Sequence, residues 1–364
     1  MTSLADAFWR MPGSFAAASI LGHSYLLRCV VFHHISDTPS PFTDGIRVRV
    51  TPSKFEAALK FFTANFNPVN LQDVLTDCDG HGLPPRAILV TFDDAYASIA
   101  EWAAPLCQKL GVPAVFFVNA AFLDNQRLAP DNLICYVANT FGMEAINSAV
   151  HIVPGHEDSK LRSLAEVFGT FLPSISLAER ETFLDGLRHL SDINESKLAK
   201  DANLYLTSKQ LRDLKSYNFE IGNHTYTHTH CRTLSRNDVD SEVDKNKAEL
   251  EALSGTKIRS FSIPYGSSKD LSPEFVKYLE QSGHQAIFLS ESVANSRQAD
   301  IRCLDRVSTS ADGDDALFFE IEVLPRLRVI RNRFFRKSAF VRGNWIDSPA
   351  LDRVEDINAN AVRR

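Results

Sequence analysis

The amino-acid sequence predicts an α/β protein built on parallel strands. Short apolar runs of strand length alternate with stretches in which apolar residues recur at helical spacing, and this order holds along most of the 364 residues. Parallel strands joined by crossover helices form either a barrel or a doubly wound sheet. Acidic and histidine residues directly follow two of the strands, which is where both architectures bind their ligands.

The first predicted elements are a strand, a helix and a second strand. The run LLRCVVFHH at 26–34 is apolar and β-branched, which predicts a buried strand. A helix is expected after Thr51, because threonine is a good N-cap and Pro52 suits the first helical position. The run RAILVTF at 86–92 predicts the next strand, followed by a helix at about 97–110.

The second half of the chain continues the alternation after one interruption. We expect strands at 113–119, 219–224, 259–266 and 285–290, with a helix at about 235–253. The interruption at 122–206 has helical spacing and few strand signals, so it predicts a mostly helical insertion beside the site. Such an insertion either contributes to substrate choice or only packs against the rest of the protein.

Composition and charge limit the classes of function. The formal net charge of −6 argues against nucleic-acid binding. Residues 1–25 form an N-terminal extension whose apolar stretch is too short to span a membrane. It also lacks the basic region of a secretory signal, so we expect a cytoplasmic protein. Six cysteines without CxxC spacing fit reduced thiols better than a disulfide framework.

The C-terminal tail at 325–364 begins with a basic segment. Seven Lys/Arg residues and no acidic residue lie in 325–342, together with apolar residues at near-helical spacing. A basic amphipathic helix of this kind can lie on an anionic membrane surface, which would place the protein peripherally on the inner face of the membrane. The alternative is a solvated helix that packs its apolar side on the barrel.

Two adjacent carboxylates raise the first functional question. Asp93 and Asp94 end an apolar strand, and paired charge near a low-dielectric core is costly unless something binds there. His224 and His228 lie four residues apart beside another strand end, a spacing that can direct two imidazoles at one ion. Two imidazoles and one carboxylate leave positions on zinc, or a similar divalent ion, open to water and substrate. His230, close behind, is expected at the rim.

These residues resemble the motifs of the polysaccharide deacetylase family, also called the NodB-homology domain or carbohydrate esterase family four. The family's Thr-Phe-Asp-Asp-Gly is matched by Thr91–Asp94, with Ala95 in place of glycine. Its His-Ser/Thr-x-x-His is matched in full by His224–His228. Its Arg-x-Pro-Tyr is matched in Pro264–Tyr265 only, since Ser262 stands where the arginine would be.

The resemblance implies a fold, a metal and roles for residues. The fold is a distorted (β/α) barrel, predicted here over residues 26–324. One divalent metal ion, zinc first with cobalt, nickel and iron(II) as alternatives, would be held by Asp94, His224 and His228. Asp93 would be the general base that takes a proton from the water that the metal activates. A backbone N–H at Tyr265 would stabilise the oxyanion.

Two departures from the family pattern need replacements. The late Leu-x-His motif, which supplies a general acid, is absent, because the corresponding segment at 301–310 has no histidine. The run VVFHHISD at 30–37 resembles a branch of the family in which a first-strand histidine stands in, which makes His33 the candidate acid; a structural strand-end histidine is the alternative. Arg306 is the candidate replacement for the missing arginine that orients Asp93, with an unrelated ion pair as its alternative.

The resemblance implies a metal-dependent hydrolase that removes an N-acetyl or O-acyl group. Its partner would be a carbohydrate or a lipid-linked sugar: an N-acetylhexosamine-containing glycan, glycolipid or activated precursor. One alternative is an amidase or esterase acting on a non-sugar substrate. Another is a degenerate, non-catalytic member that binds glycan, which the intact Asp93, Asp94 and histidine pair oppose and which Ala95, Ser262 and the missing late histidine favour.

Overall fold

The computed structural model describes residues 25–76, 82–217, 219–296, 300–309 and 312–335. All but the last residue of the N-terminal extension predicted at 1–25 lies outside these residues, and so does the C-terminal tail beyond 335. The boundaries predicted for the domains therefore stay a prediction. Of the helices that are described, none has the length and apolar character needed to cross a bilayer.

Nine of the strands in the described residues form one sheet, and its pairings are parallel except for one short edge strand. The order along the sheet is β10-β1-β5-β6-β7-β8-β9, with β4 beside β5 and β11 beside β1; β2 and β3 form a separate parallel pair. The strands are β1 (Tyr25–Phe32), β2 (His34–Ile35), β3 (Arg49–Val50), β4 (Asn67–Pro68), β5 (Ala87–Phe92), β6 (Ala114–Val118), β7 (Glu220–Asn223), β8 (Ser260–Ser262), β9 (Ala286–Phe288), β10 (Asn295–Ser296) and β11 (Val307–Ser308).

The segment at 304–308 connects the last strand of this sheet to the first. The backbone of Leu304 exchanges hydrogen bonds with the β9 region, at 2.8 and 2.9 Å. Three residues later Val307 pairs with Val30 of β1 in parallel register. The sheet thereby curls back toward its own first strand, and the predicted distorted (β/α) barrel is confirmed.

Helices connect most of the strands. The α-helices are α1 (Pro52–Asn65), α2 (Leu71–Thr76), α3 (Ala104–Leu110), α4 (Pro130–Phe141), α5 (Met143–Val150), α6 (Leu164–Glu166), α7 (Leu177–Leu190), α8 (Glu195–Ala202), α9 (Ser208–Ser216), α10 (Arg236–Val239), α11 (Lys245–Ser254), α12 (Pro273–Gln281), α13 (Asp314–Phe318) and α14 (Leu324–Phe335). The helix expected after Thr51 begins as predicted, because the Thr51 side chain accepts a hydrogen bond from the N–H of Lys54. The helices predicted at 97–110 and 235–253 each contain a π-helical turn, at Ile99–Ala103 and Asp240–Asp244.

The pleat of the strands decides which side chains reach the mouth of the barrel. Leu89 of β5 and Phe117 of β6 belong to a small hydrophobic cluster inside the barrel. Their immediate neighbours along each strand point the other way and pack against the surrounding helices. Because side chains alternate along a strand, Asp93 lies on the same face as Leu89, just beyond the end of β5. The Arg306 guanidinium lies on this inner side too, 5.3 Å from the centroid of the Phe117 ring.

The chain between β6 and β7 is helical and has a core of its own. It comprises α4 to α9, and the insertion predicted at 122–206 falls within it. Leu133, Phe183 and Tyr205 are among the buried residues of this second core. A backbone bridge between Tyr96 and Tyr205 attaches this helical insertion to the loop that follows β5. The insertion is therefore packed directly beside the carboxyl end of β5.

Candidate active site

The structure brings the three predicted metal ligands together. Asp94, His224 and His228 each offer one ligand atom, and these atoms lie within 4.8 Å of one another. The Oδ1 atom of Asp94 is 3.4 Å from Nε2 of His224 and 3.3 Å from Nε2 of His228. Burial alone would raise the pKa of Asp94, but His228, His224 and His33 together outweigh it, and the pKa falls below its usual value. The carboxylate is therefore ionised at neutral pH.

The donor set fits a divalent metal ion. Oδ1 of Asp94 is buried and accepts no hydrogen bond from the residues that the structure describes. Buried carboxylate oxygens normally have partners, and an unsatisfied one is costly. Two imidazole nitrogens and one carboxylate oxygen match the three protein ligands of a catalytic zinc site, which leaves a position for water or substrate. A cation among these atoms would satisfy all three at once.

His224 is oriented by the backbone of the barrel. Its Nδ1 lies 2.8 Å from the carbonyl oxygen of Ser262, the last residue of β8. Because a carbonyl can only accept, Nδ1 carries the hydrogen, and in the neutral ring the Nε2 lone pair faces Asp94. Lone pairs facing each other at 3.4 Å repel unless a proton or a cation lies between them. Asn119, directly after β6, donates to the carbonyl of Thr225 at 2.9 Å and holds the same loop.

His228 is oriented by a side chain of the helical insertion. Its Nδ1 is 2.8 Å from Oδ2 of Asp131, in the first turn of α4. Burial would lower the pKa of His228, but the carboxylates of Asp131 and Asp94 outweigh it and raise the pKa to about 9. The sequence analysis missed Asp131, because a single acidic residue at a helix start has no spacing that relates it to the histidine motif.

Asp93 is anchored beside the ligand cluster by Arg306. The guanidinium makes two parallel hydrogen bonds to the carboxylate, Nη1 to Oδ1 and Nη2 to Oδ2, both 2.7 Å long. Both side chains are buried. Burial would raise the pKa of Asp93, but Arg306, with smaller contributions from His224 and His33, outweighs it and the pKa falls below its usual value. Arg306 also donates to Oγ of Ser262 at 2.7 Å, so it reaches Asp93 past the residue that stands in place of the family's arginine.

His33 lies close enough to the carboxylates to interact with them electrostatically. Its pKa is lowered by burial, while Asp94 and Asp93 oppose that shift. His33 directly follows Phe32 of β1, which pairs in parallel with Phe92 of β5, so His33 lies at the same end of the barrel as Asp93. Its role as the general acid stays a prediction.

Tyr265 contacts both the histidine loop and the insertion. Its hydroxyl donates to Oδ1 of Asp131 at 2.6 Å, and its ring centroid is 4.8 Å from that of His228. The ring of His230 stacks on the ring of Tyr265, with the two centroids 3.9 Å apart. His230 is buried, so the expectation that it lies at the rim is wrong. The reason is that Tyr265 and the carboxylate of Asp270, 3.4 Å from Nδ1 of His230, enclose its ring.

Several residues of the same loops have a strained backbone. Asp94 (φ 71°), Ala95 (φ 56°), Thr225 (φ 61°), His228 (φ 51°) and Tyr265 (φ 61°) all have left-handed backbone conformations. For residues other than glycine this conformation costs roughly 1 kcal/mol or more each. The left-handed conformation of Ala95 explains why the family motif has glycine at this position, since a residue without Cβ adopts it without strain. Such outliers persist where the surrounding structure fixes them, and they are common at functional sites.

The fold is a distorted (β/α) barrel, and part of the chain matches a known protein family. The family model described as polysaccharide deacetylase matches residues 168–287. That stretch contains His224–His228 and Pro264–Tyr265, while Asp93 and Asp94 lie before it. The resemblance to polysaccharide deacetylases is thereby confirmed. Assignment to the branch with the first-strand histidine stays a prediction.

Solved structures of deacetylases share the fold at low sequence identity. The Streptococcus pyogenes deacetylase PplD, in complex with acetate, has a TM-score of 0.54 and 13% identity, covering 81% of this chain and 98% of its own. IcaB from Ammonifex degensii has a TM-score of 0.50 and 17% identity, covering 82% and 99%. The de-N-acetylase from Aggregatibacter actinomycetemcomitans has a TM-score of 0.50 and 16% identity, covering 79% and 96%. None of the curated proteins matches the chain.

Proposed function

We propose that the chain is a metal-dependent hydrolase that removes an N-acetyl (or O-acyl) group from an N-acetylhexosamine-containing glycan, glycolipid or activated precursor. The observation that carries this proposal is the buried Oδ1 of Asp94, which lies between two imidazole Nε2 atoms and accepts no hydrogen bond from the described residues. The match to the polysaccharide deacetylase model supports a sugar substrate. The deacetylases named above, one of them in complex with acetate, support the loss of an acetyl group.

Asp94, His224 and His228 would hold the metal ion, zinc first with cobalt, nickel and iron(II) as alternatives. When bound, the ion supplies Lewis-acid chemistry, polarising the acyl carbonyl and lowering the pKa of water. The chain's part is to give the Nδ1 of each imidazole a hydrogen-bond acceptor, so that Nε2 is directed at the site. The carbonyl of Ser262 does this for His224, and the carboxylate of Asp131 does it for His228.

Asp93 is suited to accept the proton of the attacking water. Its pKa is held low by Arg306, so it is ionised and able to take up a proton at neutral pH. Its Oδ2 lies 3.8 Å from Nε2 of His224, next to the ligand cluster. The two hydrogen bonds from Arg306 fix the carboxylate, so no reorientation is needed during the reaction.

His33 and Tyr265 would serve the second half of the reaction. As the acyl carbonyl becomes an oxyanion, the backbone N–H of Tyr265 stabilises the charge. His33 then gives a proton to the departing amine, which otherwise leaves slowly. A pKa lowered by burial makes its imidazolium a stronger proton donor. The neighbouring carboxylates of Asp94 and Asp93 oppose this shift without cancelling it.

Acetate release tests the proposal. Metal-free protein and zinc-loaded protein are incubated with N-acetylglucosamine oligomers, a lipid-linked N-acetylhexosamine and a non-sugar acetamide, and acetate is quantified. Zinc-dependent release from a sugar substrate is the expected result. Release only from the non-sugar amide would identify an amidase instead. Binding of the sugars without any release, by protein that holds one equivalent of metal, would identify a non-catalytic glycan-binding protein.

A second proposal concerns the membrane. We propose that the basic segment at 325–342 makes a peripheral contact with an anionic membrane surface. Within its described part, Leu327 and Ile330 of α14 are each 50% exposed, so their apolar surface is not fully packed on the barrel. Each Lys/Arg close to such a surface contributes about 1 kcal/mol of binding. This contact would bring the barrel close to a lipid-linked substrate.

Sedimentation with vesicles tests the membrane contact. The full chain should sediment with vesicles containing phosphatidylserine and not with vesicles of phosphatidylcholine alone, and the binding should weaken as salt is raised. The double substitution Leu327→Asn and Ile330→Asn keeps every charge and should reduce the bound fraction. Equal binding by the double variant, or binding that ignores salt, contradicts the proposal.

A further inference from the structure

Two side chains of the helical insertion reach into the histidine loop of the barrel. Asp131 contacts the ring of His228, as described above. Arg180 of α7 donates from Nη2 to Oγ1 of Thr227, the residue before His228, at 2.7 Å. Thr227 is held from the barrel side as well, since its N–H and hydroxyl donate to Glu242 at 2.8 and 2.6 Å. The loop is thus clamped between the barrel and the insertion.

Asp131 contacts two residues of the site, because each of its carboxylate oxygens has a partner there. Oδ2 pairs with Nδ1 of His228 at 2.8 Å, and Oδ1 accepts from the hydroxyl of Tyr265 at 2.6 Å. The side chain is 13% exposed, so the two bonds are largely protected from competition by water. Asp131 follows Pro130 at the start of a twelve-residue helix, an end of the helix where acidic side chains are common.

We propose that Asp131 is a positioning residue that holds His228 ready to bind the metal and fixes Tyr265 against it, so that the helical insertion completes the site. This inference rests on the proposed function, because it requires a metal at Asp94, His224 and His228. A carboxylate that accepts from Nδ1 keeps the hydrogen on that nitrogen, which leaves the Nε2 lone pair for the ion and makes it more basic. The same carboxylate fixes the residue whose backbone N–H would face the oxyanion.

Metal affinity, measured separately from turnover, tests the inference. Zinc is titrated into the metal-free full-length protein in competition with a chromophoric chelator, for the wild type and for Asp131→Asn, which keeps the shape of the side chain and removes its charge. The affinity of Asp131→Asn should be about 10- to 100-fold weaker, the usual cost of losing an outer carboxylate. Asp185→Asn is the matched control, since Asp185 lies on the insertion with its side chain 63% exposed, and its affinity should equal that of the wild type.

Two spectroscopic readouts separate positioning from a general loss of structure. Loaded with Co²⁺, Asp131→Asn should show a visible spectrum different from that of the wild type, because the basicity and orientation of one ligand change. Tyr265→Phe removes only the hydroxyl that binds Oδ1. It should retain zinc affinity and the Co²⁺ spectrum while kcat falls, because the imidazole keeps its partner but the tyrosine loses its own.

Affinity within twofold of the wild type, together with an unchanged Co²⁺ spectrum in Asp131→Asn, would overturn the role of Asp131 and leave the proposed function standing. A wild-type protein that binds no metal would overturn the proposed function and this inference with it. If Asp131→Asn does not fold, ¹H–¹⁵N spectra of the zinc-loaded wild type decide. Both ligand histidines should show a hydrogen-bonded Nδ1 proton, and absence of the signal for His228 contradicts the inference.

Discussion

The barrel and the helical insertion orient the two ligand histidines in different ways. His224 and His228 place Nε2 at nearly the same distance from Asp94, 3.4 and 3.3 Å. The partner of His224 is the carbonyl of Ser262, whereas the partner of His228 is the carboxylate of Asp131. A backbone carbonyl is present whatever the side chain, so the fold itself orients His224. The orientation of His228 depends on one acidic residue contributed by the insertion.

The difference has an electrostatic consequence. A carbonyl is a neutral acceptor, whereas a carboxylate carries a full charge and stabilises a protonated imidazole. With Asp94 it raises the pKa of His228 to about 9 although burial acts in the opposite direction. The group that orients His228 is a side chain and can be replaced by mutation, whereas the backbone carbonyl that orients His224 cannot. On the barrel side, a test therefore has to replace the ligand His224 or the candidate base Asp93.

Replacing the barrel-oriented ligand should have the largest effect. His224→Ala leaves two protein ligands, so we expect no stoichiometric zinc after reconstitution and no detectable acetate release. Metal content is measured by atomic emission on the desalted protein. The matched variant Asp93→Asn should retain one equivalent of zinc while losing most of its turnover, because the ligands remain and the proton acceptor is gone. Stoichiometric zinc in His224→Ala would exclude His224 as a ligand.

Arg306→Met should have the next largest effect, because it leaves the buried carboxylate of Asp93 without its partner. Breaking a buried ion pair in this way is expected to cost about 3–5 kcal/mol of unfolding free energy, which urea denaturation of the variant and the wild type would measure. The pKa of Asp93 should rise, since burial is no longer outweighed, and the acidic limb of the kcat/KM profile should move to higher pH.

A double variant provides the control for that prediction. Arg306→Met combined with Asp93→Asn removes the uncompensated charge, so its unfolding free energy should exceed that of Arg306→Met alone. If the double variant is no more stable, the loss in the single variant comes from packing of the guanidinium against the rings of Phe117 and Phe288. The acidic limb of the kcat/KM profile of Arg306→Met then shows whether loss of the guanidinium charge also changes the pKa of Asp93.

The sequence predicted most of the barrel side of the site, because the signals there are local. An apolar strand that ends in Asp93 and Asp94, and a strand followed by His224 and His228, give both the position and the chemistry within a few residues. Short strands such as β10 and β11 were missed, since two residues carry no recognisable pattern.

The contacts between distant segments were harder to predict. No sequence pattern around Arg306 relates it to Asp93. The only hint was that Ser262 stands where the family motif has arginine, so that an arginine had to come from elsewhere. Asp131 had no such hint, because the family motifs have no counterpart for it. Packing of the insertion beside the carboxyl end of β5 was expected, but packing alone does not specify which side chain faces a ligand.

His33→Ala should reduce turnover less than loss of the metal does, and its effect should depend on the leaving group. On an amide substrate the expected loss is about a hundredfold or more, because an amine leaves slowly without a proton. An ester of the same sugar should lose less. His34→Ala is the matched control, since His34 lies in β2, hydrogen-bonded to Ser98, and its rates should stay close to those of the wild type. Equal rates for His33→Ala and the wild type on the amide would show that the acid lies elsewhere.

The smallest expected effect concerns how acid weakens the barrel side. His284 is 2% exposed, and burial lowers its pKa from 6.5 to about 4. Its Nε2 accepts from Asn223, the residue before His224, at 3.2 Å, which requires a neutral ring. Because the folded pKa is the lower one, this contribution to stability is complete above pH 6.5 and is lost as the pH falls toward 4, by up to about 3 kcal/mol. Urea unfolding of the wild type between pH 7.5 and 4.5 should show that slope, and His284→Gln, which does not titrate, should show less of it. Parallel curves would mean that the slope arises elsewhere and that the polar contacts beneath His224 do not depend on a neutral His284.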